Sequence, residues 1–335
     1  MKKILLSIFA LTLLASCTKE IEFNGEQTDS KLVINSLMEP GQPIRANVSK
    51  SYFFLDAPDT AAPDDIKATL YVNGNDMGEM TLEYDTVTDY NGWYLPEEGY
   101  YRLVKVFTHP YCPVQGDVVK MTASAEGFDD VEATASPLPG VADWSIEDCQ
   151  VTEWEITYYA PYDSFEEDTM WYVSGKLEMI LNISDPNPGK TDYYKIYVGV
   201  GGVPDEETGS VVYTSTSYND PVFGGTSLGD IDVPLGPEGV FTDMLFDGGS
   251  YKIKLPIELS ISFWNGAYQN TIQVPVRMEH FTKEYYNYLL TRSQDDEILQ
   301  FFAEPVQTYS NVEGGYGVVA GRAVDTLKFD LPSQK

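Results

Sequence analysis

The chain has 335 residues, 43% apolar and 13% aromatic, with 24 tyrosines, a composition far from disorder and rich in strand formers. Its formal charge of −31 repels phosphate backbones and anionic lipid heads, which argues against nucleic acid and against charge-driven membrane binding. That field attracts cations or a basic partner patch, and it also keeps a protein outside the cytoplasm soluble.

The first twenty residues carry an address. Lys2 and Lys3 form a basic head, and Ile4 to Leu14 is a short apolar run, too short to span a bilayer permanently. Small residues and Cys17 follow, and Leu14-Ala15-Ser16-Cys17 resembles a bacterial lipobox. The expectation is a signal peptide over 1–16, a lipidated Cys17 and a tether over 17–30. Several acyl chains on one residue anchor durably where a single chain does not. An ordinary cleaved signal with a nearby cysteine is the plainer alternative. Removal of sixteen residues leaves 319, carrying a charge of −33. No later run of 18 apolar residues predicts a further membrane span.

At about 100–200 residues per domain the length predicts two domains. Structure is expected to begin at Lys31. KLVINSL reads as a strand, and in IRANVSK, Ile44, Ala46 and Val48 alternate with polar residues. Ala68, Leu70 and Val72 run into Asn73-Gly74-Asn75-Asp76, a hairpin signal, because Asn and Gly accept positive φ cheaply. A second Asn-Gly at 91–92 is flanked by Tyr90, Trp93 and Tyr94. These aromatics either pair across the hairpin, the favoured reading, or offer a binding surface. Strands continue at YYRLVKVF and DVVKMTASA, and Pro137, Pro139 and Gly140 mark a boundary. Cys112 and Cys149 flank it. They either bridge the two domains or are buried separately.

Beyond the boundary, Trp171, Val173, Leu177, Met179 and Leu181 share a face, and Tyr251 to Phe263 alternates, predicting a long strand with one wet face. Residues 201–249 read as extended loops carrying short strands. FTKEYYNYLLTRSQ has Phe281, Tyr285, Tyr288 and Leu289 at helical spacing, with Thr282 as candidate N-cap and Glu284 in the first turn. A helical region over about 281–302 must end by Pro305.

The fold expected is mainly β: two β-sandwich, Ig-like domains over 31–140 and 141–335, the second carrying that helical insertion.

Catalytic patterns are poor. There is no G-x-S-x-G to accompany His109 or His280, and no C-x-x-C or H-E-x-x-H for zinc. Glu166-Glu167-Asp168 and Asp295-Asp296-Glu297 read as solvated loops or helix starts; a glycosidase pair is defined by spacing in space. Asn73 to Gly78 echoes a calcium loop without its twelfth-position acid, and SNVEGGYG lacks the Lys-Ser/Thr of a phosphate loop. No enzyme activity, cofactor or metal is expected.

Four segments together resemble the Bacteroidota lipoproteins grouped as domain-of-unknown-function family 4249. They are KLVINSLMEPGQPIRANVSKS (31–51), PVQGDVVKMTASAEGFDDVEATASPLP (113–139), SDPNPGKTDYYKIYV (184–198) and FFAEPVQTYSNVEGGYGVVAG (301–321). The resemblance implies an outer-membrane lipoprotein, non-enzymatic, acting as an accessory binding module with a TonB-dependent transporter. A fimbrillin-type assembly protein and a glycan-active enzyme are the alternatives. The acidic signal of surface-exposed members is present only in part, as Thr18-Lys19-Glu20-Ile21-Glu22.

Overall fold

A computed structural model describes residues 29–53, 63–88, 101–159, 170–199, 203–204, 211–224, 226–228, 231–233, 236–264, 273–293 and 308–330. The fold is mainly β, as expected, with a helix after the eighteenth strand.

Among the described residues eight strands precede residue 140: β1 (Leu32–Met38), β2 (Ile44–Lys50), β3 (Lys67–Val72), β4 (Asn75–Glu79), β5 (Thr81–Thr88), β6 (Tyr101–His109), β7 (Val119–Ser124) and β8 (Val131–Thr134). The β3–β4 turn is the predicted Asn-Gly: Asn73 has φ 51° and Gly74 φ 79°, the pair of left-handed residues that a two-residue hairpin turn needs. β1, β2, β6 and β5 form one layer, and β8, β7, β3 and β4 lie in a second. Leu32, Ile34, Ile44, Leu70, Phe107, Val119 and Met121 fill the core they share. Each such side chain contributes about 1.5–3 kcal/mol by leaving water.

The second sandwich is built from longer strands. β9 (Asp143–Tyr159), β10 (Met170–Ser184) and β17 (Ser250–Trp264) pair along most of their length, with β13 (Val211–Thr216) and β12 (Val203–Pro204) at the edge. Opposite them stand β16 (Val240–Thr242), β11 (Tyr193–Val198), β18 (Gln273–Phe281) and β20 (Val319–Asp330). Leu181, Ile183, Ile253 and Leu255 from one layer meet Tyr194, Ile196, Val276 and Met278 from the other. β14 (Thr226–Leu228) and β15 (Ile231–Val233) make a small separate hairpin. The helix α1 (Lys283–Ser293) starts directly after Thr282. The Thr282 hydroxyl accepts from the Gly321 N–H (3.2 Å), so the side chain ties the helix entrance to β20.

The two sandwiches are not laid end to end as separate Ig-like units. They share one eight-stranded sheet, ordered β16-β11-β18-β20-β1-β2-β6-β5. β20 is the seam. Val319 to Gly321 pair in parallel with Ser36 to Met38 of β1, and Arg322 to Asp330 pair antiparallel with β18. Just upstream, β19 (Val312–Glu313) joins β8, so Val312 and Val319 belong to the first core although they lie near the C-terminus. A cut at residue 140 separates Leu138 from Ala142, which lie in different cores, but the chain end recrosses it. Gly317 makes the crossing possible. Its φ is +114°, and a Cβ there would collide with the Ile34 carbonyl oxygen.

Candidate functional site

Cys17 and the aromatic trio Tyr90, Trp93 and Tyr94 lie outside the described residues. Cys112 and Cys149 are free thiols: the bridge weighed from sequence is not made. Cys112 is exposed after β6, whereas Cys149 points into the second core opposite Met179. Burial, with the Asp148 charge, pushes the Cys149 thiol up to about 11.

Neither histidine stands beside a nucleophile. His109 Nδ1 accepts from the Tyr111 N–H (3.1 Å) and Nε2 faces the Met77 carbonyl (3.3 Å), so both ring nitrogens serve the backbone. His280 is different. Its Nδ1 donates to the Gly140 carbonyl oxygen (2.9 Å), while Nε2 lies 3.5 Å from Asp192 Oδ1. That contact leads into an acidic cluster that sequence reading did not single out.

The cluster forms where the β10–β11 loop meets the turn after β16. Asp185 closes β10, Asp192 precedes β11, and Asp243 opens a 3₁₀ turn over Asp243–Leu245. The three are 8, 2 and 1% exposed, and an oxygen from each lies within 4.8 Å of the others. Local backbone shapes the loop around them. The Asn187 N–H (2.7 Å) and the Gly248 N–H donate to Asp185, and the Asn187 side-chain amide donates to Asp192 (2.8 Å). The Asp192 N–H donates to Asp243 Oδ2 (3.0 Å). Positive charge is scarce: Lys190 Nζ sits 3.7 Å from Asp192 on a largely exposed side chain.

The electrostatics differ around the ring. Burial pushes Asp192 up, but hydrogen bonds from His280 and Asn187 outweigh it and hold the carboxyl below its ordinary value. Burial also pushes Asp243 up; the Asp192 N–H pulls it down, the charges of Asp185 and Asp192 add to the rise, and the net is upward. The neighbouring ring is Tyr194. Register places it directly between Phe241 and His280, with ring centroids 5.3 and 4.7 Å away. Its hydroxyl is fully buried and has no hydrogen-bond partner. Burial, then the charges of Asp192, Asp243 and Asp185, drive its ionisation far above the ordinary tyrosine value. The hydroxyl is therefore a neutral oxygen on a ring packed against His280, the residue that reaches Asp192.

A contrasting carboxylate sits in the first sandwich. Asp117 accepts from the Tyr111 hydroxyl (2.8 Å), the Val114 N–H (2.9 Å) and the Asn73 amide (2.8 Å). Burial pushes it up, yet these donors win and hold it below 3.8. It is a hub for three loops, with its acceptors filled.

The remaining concavity of note is a groove of about 670 Å³ on the five-stranded sheet of the second sandwich. Glu153, Glu155, Lys176 and Glu258 rim it, and Lys176 pairs with Glu153 at 2.9 Å. Beneath it, Gly175 leaves room for the Trp154 ring, which a Cβ would strike. The groove is open and acidic.

Among the described residues no helix is long and apolar enough to cross a membrane. The fold and these sites define a mainly β protein of two sandwiches joined through one sheet, with a buried acidic cluster in the second. The chain belongs to the family described as Domain of unknown function (DUF4249), whose model matches residues 18–328. No curated protein matches it. Among solved structures, the collagen adhesin CNA from S. aureus aligns at 10% identity over 90% of this chain and 94% of that one. Its TM-score of 0.11 carries no argument.

Proposed function

We propose that this protein is a non-enzymatic lipoprotein of the outer membrane, an accessory binding module that works beside a TonB-dependent transporter. The observation that carries the reading is the lipobox at Leu14-Ala15-Ser16-Cys17, followed by a polar stretch before the first strand at Leu32. A lipid on Cys17 would leave a folded acidic body at the membrane on a short leash. The open, acid-rimmed groove of the second sandwich offers a surface suited to a basic partner segment.

Two features weigh against the rival roles. A glycosidase needs two carboxylates that flank a sugar. Asp185, Asp192 and Asp243 are buried, so a sugar does not reach that cluster. An assembly protein of the fimbrillin type donates a strand. β20 is held on both sides within its own chain, and releasing it would open both sandwiches.

The test is extraction of native membranes in detergent, followed by pull-down of the tagged protein beside Cys17→Ala. Recovery of a β-barrel partner with wild type, and loss of membrane association with Cys17→Ala, are expected. Mass spectrometry showing an unmodified N-terminus, or repeated recovery without a barrel, would overturn the reading.

A further inference from the structure

We infer that Asp185, Asp192 and Asp243, together with the hydroxyl of Tyr194, form a site for one hard divalent cation of the calcium class. This inference is independent of the role proposed above.

Three buried carboxylates cannot all stay ionised side by side without compensation, because each charge loses hydration and repels the other two. The positive charge visible around them falls on Asp192 alone. Lys190 reaches only Asp192 and from the solvent side; His280 Nε2 approaches the same residue at 3.5 Å. Asp243 receives backbone hydrogen bonds from the Asp192 N–H and from its own N–H, and among the described residues no cationic side chain pairs with it.

The second, separate observation is Tyr194. A buried hydroxyl without a partner costs about 1–3 kcal/mol, and native proteins rarely leave one. The Tyr194 hydroxyl donates to none of the carboxylates, and its ring packs against His280, whose Nε2 reaches Asp192. A cation among the carboxylates would use its free oxygen lone pairs, which a proton on Asp243 would not require.

The spacing fits. Calcium takes oxygen ligands at 2.3–2.6 Å, so two ligands on opposite sides of the ion stand about 5 Å apart. The three carboxylate oxygens lie within 4.8 Å of one another, inside that span. The donors are all oxygen, which suits a hard ion over zinc or copper. The irregular loop favours calcium over magnesium, which demands a near-ideal octahedron and keeps its water. A bound ion would cross-link the 185–192 loop to the 243–245 turn and to β11, closing one end of the second sandwich.

The full chain, stripped with a chelator, is melted with and without millimolar calcium chloride, and terbium is added as a luminescent probe. Calcium at about a hundredfold excess over its Kd should raise the melting temperature by roughly 4 °C. Terbium emission, sensitised by tyrosine, should appear and be displaced by calcium. Asp243→Asn, a shape-preserving mimic of the protonated acid, should fold in chelator, melt at least as high as wild type there, and gain nothing from calcium. Tyr194→Phe should keep a reduced calcium response. Should Asp243→Asn fail to fold, Asp192→Asn serves in its place; it should melt below wild type in chelator, having lost a well-donated carboxylate, and should likewise gain nothing from calcium. A wild type that shows neither a calcium-dependent melt nor displaceable terbium emission, or an Asp243→Asn that responds as wild type does, would overturn the site. A proton shared within the cluster would then be its means of neutralisation.

Discussion

Asp117 in the first sandwich and the Asp185–Asp192–Asp243 group in the second are both buried acids beside a tyrosine hydroxyl, yet they are opposites. Around Asp117 the donors converge on one carboxylate: the Tyr111 hydroxyl, the Val114 N–H and the Asn73 amide. Around the trio, acceptors converge on one another, and the Tyr194 hydroxyl stands by unused. The difference shows that burial of an acid says little by itself. What decides whether it staples a fold or waits for something else is the balance of donors to acceptors within reach.

That contrast can be broken most forcefully at Asp117. Replacement by alanine strands three donors at once and should cost about 3 kcal/mol in urea denaturation. The two tyrosines sharpen it next. Tyr111→Phe removes a donor from a filled acceptor and should destabilise by about 1 kcal/mol. Tyr194→Phe, measured in chelator, removes an unpaired polar group from a dry site and should be neutral or stabilising by up to about 1 kcal/mol. A loss at both positions would erase the distinction.

A subtler contrast lies in pH. The Asp117 carboxyl is held below its ordinary value, so the folded protein binds that proton less readily than the unfolded chain. Its stabilisation is complete above the unfolded pKa of about 4 and is lost as pH falls through the lower folded value. Asp117→Asn should flatten the acid limb of a stability–pH profile, and an unchanged slope would refute the assignment. The smallest effect concerns the thiols. In native protein a thiol reagent should label exposed Cys112 within minutes and reach Cys149 only on unfolding, since that thiol is half-buried with its pKa pushed up to about 11.

Much of the strand content was legible. The alternation from Tyr251 to Phe263 became β17, and Asn73-Gly74 became the turn it advertised. β9 was hidden for a physical reason. Its inward residues are Ile146, then Cys149 and Val151, then Trp154, because bulges fall at the two register shifts opposite Lys176/Leu177 and Ile180/Leu181. Each bulge adds a residue and flips the alternation, so a period-two reading fails twice in one strand. The acidic cluster was half legible at best. Asp185, Asn187 and Asp192 sit close together in the 184–198 segment, and their polar spacing was a signal. Asp243 joins them from some fifty residues away, and nothing local announces it. Local pattern carried still less trace of the parallel β1–β20 pairing, because parallel partners need no shared turn.

The seam strand also sets an order of events. A chain made from its N-terminus produces β1 long before β20, and Asn35 waits for Val318 across 283 positions. Until that final segment arrives, the opening sandwich lacks Val312 and Val319 and keeps a raw edge on β1. Closure is thus deferred until β20 has been made, with slow, long-range assembly as its cost. A stop codon before β19 would leave the opening sandwich, as much as the second, unable to fold.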